Sequence, residues 1–490
     1  MKLKEVLSSL PFYEVSSSIN EIEINNIEMD SRKVVPDNLF VCINGFTVDG
    51  HNYVHQATDR GAVAIIAEKQ VESNVPVIIV PDTSRALAML AVKFYNYPTS
   101  QLPLIGVTGT NGKTTVTYLL ETIFNQNKKK TGVIGTIHMK IGEDEYPVNN
   151  TTPDALLLQK TFKSMLDQDV DQVIMEVSSH ALDMGRVYGC DYDIAVFTNL
   201  SQDHLDYHKN IDDYLRAKSL LFAQLGNNYN GEAKKFAVIN EDDPSSSQLK
   251  RSTAQHVITY GCKNTAQVMA EHIKLDAAGT FFNLKTPIGD IGINSKLIGM
   301  FNIYNMLAAS SAAIASNISL TVIKEALESI TGVNGRFEPV NAGQSYGVIV
   351  DYAHTPDSLE NVLDTIREFA KNKVYVVVGC GGDRDRTKRP LMAQIAVKYA
   401  DLAIFTSDNP RTEDPNVILD DMINGLDNME NRYKVIVDRK EAINYAMQHA
   451  KKDDIVLIAG KGHETYQQVG LVKNHFDDRE VARDAIKSKG

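Results

Sequence analysis

Residues 106–115, GVTGTNGKTT, bring glycines, a lysine and hydroxyl side chains together at short spacing. A phosphate-binding loop needs backbone amides without Cβ obstruction, a lysine for the outer phosphates and a hydroxyl for a metal ion. Gly109, Gly112, Lys113 and Thr114 supply these parts, although valine stands where the usual motif has its first glycine. An ordinary strand-to-helix turn is the alternative, but it leaves the Lys-Thr pair unexplained. We therefore predict a nucleotide site built on a variant loop.

The segments on either side of this loop have the patterns that a phosphate site needs. LPLIGVT, which precedes the loop, is typical of a buried strand. Strand, loop and helix therefore follow in the order that points the amides of a helix N-terminus at an anion. The apolar residues that recur at helical spacing after the loop are Val116, Leu119, Leu120, Ile123 and Phe124.

A chain of 490 residues is too long for one hydrophobic core and predicts about three domains. We predict an α/β protein with a smaller N-terminal α/β domain over residues 1–99. A central P-loop-type domain with a mostly parallel sheet follows over residues 100–334, and a Rossmann-like doubly wound domain over residues 335–490. Strands are predicted at NLFVCI, AVAIIA, VPVIIVP, QVIMEVS, DIAVFTNL, KFAVIN, GVIVDYAH, KVYVVVG, LAIFTSD, YKVIV and DIVLIAG.

Composition excludes several classes of function. The formal charge of -12 and the lack of a basic run with interleaved aromatic residues argue against nucleic acid as a partner. No apolar run reaches membrane-spanning length and the first residues do not resemble a secretory signal, so we expect a cytoplasmic protein. The cysteines lack paired metal-ligand spacing, and free thiols are expected at Cys42, Cys190, Cys262 and Cys380.

Motifs along nearly the whole chain resemble the Mur ligases, the ATP-dependent enzymes that add amino acids to the peptidoglycan precursor. The loop GVTGTNGKTT is similar to the variant ATP loop of that family. Several independent motifs in family order are far more specific than any one of them. The others are DSRKV, GFTVDGH, NNTTPD, EVSSHAL, NLSQDHLDYH, FNIYN, GRFE, DYAHTPDS, DNPR and GKGHE.

The resemblance implies a reaction and its substrates. Family members activate a carboxylate by ATP-dependent phosphorylation and join the acyl phosphate to an amine. The set of motifs points to members that add meso-diaminopimelate to UDP-MurNAc-L-Ala-D-Glu, in peptidoglycan synthesis and hence in cell wall biogenesis, cell shape and cell division. A monomer is expected. The same reaction with L-lysine, a folylpolyglutamate synthetase-like ligase and a noncatalytic nucleotide-gated binding protein remain as alternatives.

The resemblance also implies a magnesium site and a modified lysine. Glu176 and His204 follow two predicted strands, and with Thr114 they match the family's Mg²⁺ ligands; taken alone, a Glu or a His after a strand is more often a surface residue. Lys218 matches a lysine that the family carbamylates, whereas its helical position alone suggests a solvated lysine. Together with Lys113, the expected catalytic residues are Glu176, His204 and Lys218.

Three sets of binding residues are carried over by the resemblance. The DYAH segment can alternatively be a strand end with a capping Asp. The ATP set is Gly109, Thr110, Asn111, Gly112, Lys113, Thr114, Thr115, Asn302, Arg336, Asp351 and His354. The set for the UDP-sugar peptide is Met29, Ser31, Phe46, Thr47, Val48, Asn150, Thr151, Thr152, Ser178 and Arg186.

The set expected for meso-diaminopimelate centres on Arg411 of DNPR, because a guanidinium fork matches a carboxylate with two parallel hydrogen bonds. The acidic Glu464 suits an ammonium group. A surface ion pair between Arg411 and Glu413 or Asp414 is the alternative. The full set is Arg384, Asp408, Asn409, Pro410, Arg411, Gly460 and Glu464.

Overall fold

A computed structural model describes residues 1–15, 17–45, 48–148, 150–229, 234–276, 279–426, 429 and 431–489. The first ninety or so residues form a sheet in the order β1-β5-β4-β3-β2, parallel except for β1. Its three predicted strands are confirmed as β3, β4 and β5. The elements are α1 (Leu3–Leu7), β1 (Glu14–Val15), β2 (Asn26–Glu28), β3 (Asn38–Val41), α2 (Val54–Asp59), β4 (Ala62–Ala67), β5 (Val77–Ile79) and α3 (Thr83–Phe94).

The next strands form one large sheet in the order β16-β15-β14-β13-β12-β11-β6-β10-β7-β8-β9. Its strands are β6 (Leu104–Thr108), β7 (Thr131–Ile134), β8 (Met139–Ile141), β9 (Asp144–Tyr146), β10 (Gln172–Glu176), β11 (Ile194–Phe197), β12 (Phe236–Asn240), β13 (His256–Gly261), β14 (Val268–Asp276), β15 (Gly279–Thr286) and β16 (Gly289–Ser295). The strands from β7 across to β14 run parallel, which confirms the mostly parallel sheet. The two ends of the sheet are antiparallel extensions, β8–β9 and β15–β16.

Helices cover both faces of this central sheet. They are α4 (Lys113–Gln126), α5 (Ala155–Asp167), α6 (Ser179–Asp183), α7 (Ile211–Ala223), α8 (Ser246–Arg251), α9 (Met300–Ala315) and α10 (Leu320–Ser329). The predicted apolar residues of α4 are buried in the core with α9 and α10. Burying that stripe fixes the direction of α4, so its N-terminus, where four amides lack helical partners, stands at the carboxyl end of β6.

The last sheet has the order β17-β18-β22-β19-β20-β21, and separate apolar cores on its two faces confirm a doubly wound arrangement. Its strands are β17 (Glu338–Pro339), β18 (Gly347–Asp351), β19 (Val374–Val378), β20 (Leu402–Phe405), β21 (Tyr433–Val435) and β22 (Ile455–Ala459), and a hairpin β23 (Tyr466–Val469) and β24 (Val472–His475) follows. The helices are α11 (Pro356–Phe369), α12 (Lys388–Tyr399), α13 (Pro415–Ile423), α14 (Arg439–His449) and α15 (Asp478–Lys489).

The sheet order determines which residues can meet. In the central sheet β6 lies between β10 and β11, so the loop after β6 is flanked by the segments that follow those two strands. Parallel strands end at the same edge, and ligands of open α/β sheets bind at that edge. Within the described residues, no helix is both long and apolar enough to cross a membrane.

Candidate active site

The loop after β6 depends on its glycines for space as well as for backbone conformation. Gly109 has φ 147°, and a Cβ there would lie 1.8 Å from the Thr198 hydroxyl oxygen. Gly112 has φ 88°, and its Cβ would lie 2.3 Å from Asn305 Oδ1. Thr198 also donates to the carbonyl of Asn111 over 2.6 Å, so the loop is held by contacts that a larger residue would break.

Lys113 is the first residue of α4 and is half-buried. Its ammonium donates to the carbonyls of Gly109 and Thr110 over 2.9 and 2.8 Å. Burial lowers the pKa of Lys113, while the carboxylates of Glu176 and Asp203 oppose that shift. The charges of both acidic groups that flank the loop therefore act on this lysine.

Glu176 ends β10 and is 1% exposed, but its carboxylate is fully engaged in hydrogen bonds. It accepts from the Thr114 hydroxyl over 3.1 Å and from the Thr136 amide and hydroxyl over 2.9 Å each. A Cβ at Gly135 would lie 2.6 Å from Glu176 Oε1, so a glycine is required beside the carboxylate. The structure thus brings the predicted ligands Thr114 and Glu176 together.

His204 follows β11 on the other side of the loop, with a left-handed backbone φ of 56°. Its ring Nε2 lies 3.4 Å from Asp203 Oδ2, and its side chain is 37% exposed. Burial lowers the pKa of His204 to about 3, so the imidazole is neutral and able to ligate a metal. Hydroxyl, carboxylate and neutral imidazole form a donor set that accepts a divalent cation. Among the described residues, no group of three His, Cys, Asp or Glu side chains is arranged to hold a metal ion.

Lys218 of α7 is 1% exposed, so the interpretation as a solvated helix lysine is wrong. Its ammonium donates to the carbonyl of Gly109 over 2.8 Å and lies 4.2 Å from the centre of the Tyr214 ring. Burial and the charge of Lys113 hold the pKa of Lys218 well below its usual value. A buried lysine directly behind the phosphate loop is therefore biased toward the neutral amine.

A cleft of about 480 Å³ opens between the central and last sheets, beside the loop. Arg336 and Asp351 line this cleft. The Arg336 guanidinium donates to the Thr114 hydroxyl over 3.1 Å and lies 4.6 Å above the Tyr352 ring. Asn302 of α9 is 5% exposed and donates to the carbonyl of Ile298.

Asp351 of DYAH ends β18, and His354 lies three residues beyond it, close to Asp203. Asp351 accepts the Phe337 amide over 2.6 Å, whereas the cap of α11 is Thr355, so the capping alternative for Asp351 is wrong. Burial raises the pKa of Asp351. Burial lowers the pKa of His354 to about 4, and its Nε2 lies 3.8 Å from Asp203 Oδ2.

The residues expected around the UDP-sugar peptide fall in two places. In the first ninety or so residues, Ser31 is buried and donates to Gln56 Oε1 over 2.6 Å. Met29 is half-buried and Val48 is exposed. Phe46 and Thr47 lie outside the described residues.

The second place adjoins Glu176. The Thr152 hydroxyl donates to the carbonyl of Glu176 over 2.9 Å and accepts the amide of Ser178 over 3.0 Å. Arg186 donates to the carbonyl of Thr152 over 3.2 Å. Thr151 bonds the Thr136 hydroxyl over 3.1 Å, and Asn150 is exposed beside it. A guanidinium and several hydroxyls therefore surround the end of β10.

Loops after β19, β20 and β22 converge at the edge of the last sheet. Asn409 donates to Glu464 Oε2 over 2.9 Å, and the fully buried Lys461 donates to the same oxygen over 2.9 Å. Gly460 has φ 113°, and a Cβ there would lie 2.7 Å from Asp408 Oδ2. Glu464 was expected to bind an ammonium group of the substrate. In the structure it already pairs with the ammonium of Lys461.

Arg411 follows Pro410 in this edge with a left-handed φ of 52°. Its guanidinium donates to the carbonyl of Gly382 over 2.6 Å. Within the described residues Arg411 makes no ion pair, because Glu413 pairs with buried Arg389 over 2.8 Å, so the surface-pair alternative is wrong. Arg384 is exposed and contacts only its neighbour's carbonyl among the described hydrogen bonds.

Comparison with known proteins places this arrangement in a family. Residues 23–95 match the Mur ligase family catalytic domain, residues 107–313 the Mur ligase middle domain and residues 335–462 the Mur ligase glutamate ligase domain. The chain belongs to the Mur ligase family. A protein of Oceanobacillus iheyensis named UDP-N-acetylmuramoyl-L-alanyl-D-glutamate--2,6-diaminopimelate ligase is 68% identical over 100% of both chains. A protein of the same name from Geobacillus thermodenitrificans is 58% identical, again over 100% of both.

A solved structure with that name is also similar to this Mur ligase. It has a TM-score of 0.70 and 35% sequence identity, and the match covers 100% of this chain and 99% of the other. The fold class predicted from the sequence is thereby confirmed, because the aligned architecture extends over the entire chain.

Sequence reasoning missed several groups in the site of this Mur ligase. Asp203 lies 3.8 Å from both His354 Nε2 and Lys388 Nζ, which belong to the last sheet. Lys461 stands inside the GKGHE segment, but only its burial shows that it neutralises Glu464. Lys218 did carry a signal, because it stands four residues from both Tyr214 and Phe222 and hence shares their buried face.

Proposed function

We propose that this Mur ligase is an ATP-dependent ligase that adds meso-diaminopimelate to the γ-carboxylate of the D-glutamate of UDP-MurNAc-L-Ala-D-Glu. The observation that carries the proposal is the meeting of Thr114 and Glu176 from the central sheet with Arg336 from the start of the last one. Phosphoryl transfer requires positioned cations and hydroxyls at one place, and this boundary supplies both.

The proposed chemistry has two steps. The D-glutamate carboxylate attacks the γ-phosphorus of ATP, ADP leaves, and an acyl phosphate forms. The amine of the incoming amino acid then attacks the acyl carbon, phosphate leaves and the amine loses a proton. Both steps need a water-poor site, because water would hydrolyse the acyl phosphate.

Lys113 and the loop amides hold the outer phosphates in this proposal. Two hydrogen bonds already hold its ammonium at the carbonyls of Gly109 and Thr110, within reach of the charges of Glu176 and Asp203. Thr110, Asn111 and Thr115 complete the loop, and Arg336 and Asp351 line the cleft beside it. Asn302 and His354 complete the proposed ATP set.

Thr114, Glu176 and His204 would hold Mg²⁺, and the bound ion would neutralise phosphate charge and orient its oxygens. Lys218 is proposed to be carbamylated, since carbamylation requires a neutral amine and burial depresses the pKa of this lysine. The carbamate would add a carboxylate behind Gly109, where the buried amine now lies.

The remaining residue sets divide among three proposed domains. Residues 1–99 would bind the uridine part of the UDP-sugar through Met29, Ser31, Phe46, Thr47 and Val48. Residues 100–334 would bind ATP and, through Asn150, Thr151, Thr152, Ser178 and Arg186, the peptide. Residues 335–490 would bind the amino acid through Arg384, Asp408, Asn409, Pro410, Arg411, Gly460 and Glu464. We place the reaction in the cytoplasm, where ATP is available.

The deciding experiment is mass spectrometry of the product formed from UDP-MurNAc-L-Ala-D-Glu, ATP and an equimolar mixture of meso-diaminopimelate and L-lysine. The proposal expects the mass of the diaminopimelate product. The lysine product would favour the L-lysine alternative. In a parallel reaction with folate, glutamate and ATP, formation of product there alone would favour a folylpolyglutamate synthetase. No phosphate release with all substrates present would contradict any ligase and favour a nucleotide-gated binding protein.

A further inference from the structure

His180 lies in the EVSSHAL segment, two residues into the short helix α6, and none of the residue sets above includes it. Its ring meets the ring of His204 edge to face, with centroids 4.8 Å apart and planes at 89°. This is a favoured geometry for a pair of flat rings. The residue thus contacts the proposed cation ligand directly.

Apart from His180, the described contacts of the His204 ring are with Asp203 and with the Tyr214 ring, whose centroid lies 6.1 Å away. His204 stands in a loop with a left-handed backbone, and its side chain is 37% exposed. Asp203 approaches its Nε2 to 3.4 Å from one side, and the His180 ring packs on it from another. Removing the His180 ring would therefore free one side of the His204 ring.

His180, by contrast, is firmly held. Its ring lies 4.3 Å from that of Tyr207 and 5.6 Å from that of His208. The Tyr207 hydroxyl donates to Asp183 over 2.8 Å, and His208 Nε2 lies 2.9 Å from the Ser179 hydroxyl. These anchors tie the ring to α6, whose cap is the Ser178 side chain.

The end of β10 and the segment after it therefore place two side chains, Glu176 and His180, beside the proposed cation site. Glu176 ends the strand, and four residues later His180 begins to orient the ligand contributed by the loop after β11. We propose that His180 is a positioning residue that holds the His204 ring, by ring packing, in the orientation that binds the divalent cation. The inference rests on the proposed function, because it assumes a cation at Thr114, Glu176 and His204.

The test measures Mn²⁺ binding by electron paramagnetic resonance, with a nonhydrolysable ATP analogue present and no turnover. His180→Ala should weaken Mn²⁺ binding by about 10-fold or more, the usual size of the loss when a group that orients a metal-bound histidine is removed. His180→Phe keeps a ring without a nitrogen and should bind Mn²⁺ nearly as wild type does. In steady-state assays, His180→Ala should need a higher Mg²⁺ concentration for half-maximal rate than the wild type. His180→Phe should need nearly the wild-type concentration.

His256→Ala is the matched control. His256 also packs its ring on another, that of Phe236 at 5.6 Å, but it begins β13 and lies at the opposite edge of the central sheet. Its loss should leave Mn²⁺ binding unchanged. Thermal melting of each variant checks folding, and His180→Phe keeps the proposal testable even where His180→Ala unfolds.

Wild-type Mn²⁺ affinity in His180→Ala would overturn the inference, and so would an equal loss in His180→Phe and His180→Ala, because packing alone would then be insufficient. If the wild-type protein itself binds no Mn²⁺ with the nucleotide, the failure lies with the proposed function. The wild-type measurement therefore separates the two failures.

Discussion

Asn111 of the phosphate loop donates a hydrogen bond to Asp357 of α11 over 2.7 Å, although 246 residues separate them in the sequence. Gln202 donates to Thr387 across the same boundary over 3.3 Å. The loop that is expected to hold phosphates is thus in direct contact with the last sheet. We therefore expect occupancy of the loop to influence the position of residues 335–490 through these contacts.

Lys113→Ala should abolish turnover and leave binding of the UDP-sugar nearly intact. The ammonium lies at the carbonyls of Gly109 and Thr110 in the central sheet, whereas the uridine contacts are expected in the first. Phosphate release and calorimetric UDP-sugar binding measure the two effects. Lys129→Ala, an exposed lysine paired with Asp171, is the control, and phosphate release by Lys113→Ala at the wild-type rate would refute the loop assignment.

Lys218→Ala should be nearly inactive, and short carboxylic acids added to it should partly restore activity. The buried amine is where the carbamate is expected, so a small acid can occupy the space that truncation leaves. Rates are measured against acid concentration, with exposed Lys209→Ala as the control. A complete lack of rescue would count against carbamylation.

The wild-type protein should use meso-diaminopimelate and barely use L-lysine. If Arg411 holds the distal carboxylate, L-lysine leaves the guanidinium unpaired, and rejection on the order of a thousandfold or more is expected. Arg411→Ala should lose most activity with diaminopimelate without becoming a good lysine enzyme. Arg386→Ala removes an exposed arginine that pairs with Asp421 and is the control. Equal kcat/KM for both amino acids in the wild type would refute the assignment.

The free energy of unfolding should fall as the pH decreases from about 6.5 to about 4. Burial lowers the pKa of His354 to about 4. Between about pH 6.5 and 4 this histidine is therefore protonated in the unfolded chain and neutral in the folded protein. His354→Gln should lessen the slope, and His475→Gln, at an exposed position, should not. Urea unfolding at several pH values measures the slope. An unchanged slope in His354→Gln would contradict the expectation.

Arg439→Met should cost about 3–5 kcal/mol of stability, because it leaves the charge of buried Asp478 without its partner. The guanidinium donates to both Asp478 oxygens over 2.8 and 2.7 Å, and neither side chain is exposed. Replacing both residues by apolar ones should cost less than the single change. Lys398→Met, which breaks an exposed pair with Glu360, should change stability by about 0–1 kcal/mol. Urea denaturation compares the variants.

Parallel strands with long continuous apolar runs were predictable, whereas β7 and β13, which are also parallel, were not predicted. LPLIGVT became β6 and QVIMEVS became β10, both fully buried. The extension β14–β16 was not predicted, since adjacent Phe281 and Phe282 obscure the alternation of β15, whose exposed and buried residues nevertheless alternate in the structure.

The candidate site was predictable where one short segment carries its chemistry, as in GVTGTNGKTT. It was not predictable where function depends on contacts between distant segments. Nothing in the sequence distinguishes Asp203 from the other aspartates. Only the fold places its carboxylate near His354 and Lys388. His180 likewise acquires its contact with His204 from the order of β10, β6 and β11.

Lys113 already donates hydrogen bonds to two backbone carbonyls, so nucleotide binding partly exchanges these bonds for bonds to phosphate. The ammonium has three N–H donors, and two of them already bond the oxygens of Gly109 and Thr110. Each donor that moves from a carbonyl to a phosphate replaces one bond by another, so the number of new hydrogen bonds then exceeds the net gain. Calorimetry should therefore record a smaller binding enthalpy than the count of phosphate contacts suggests. In return, these two bonds already restrict the lysine side chain, so less side-chain entropy is lost when the ligand arrives.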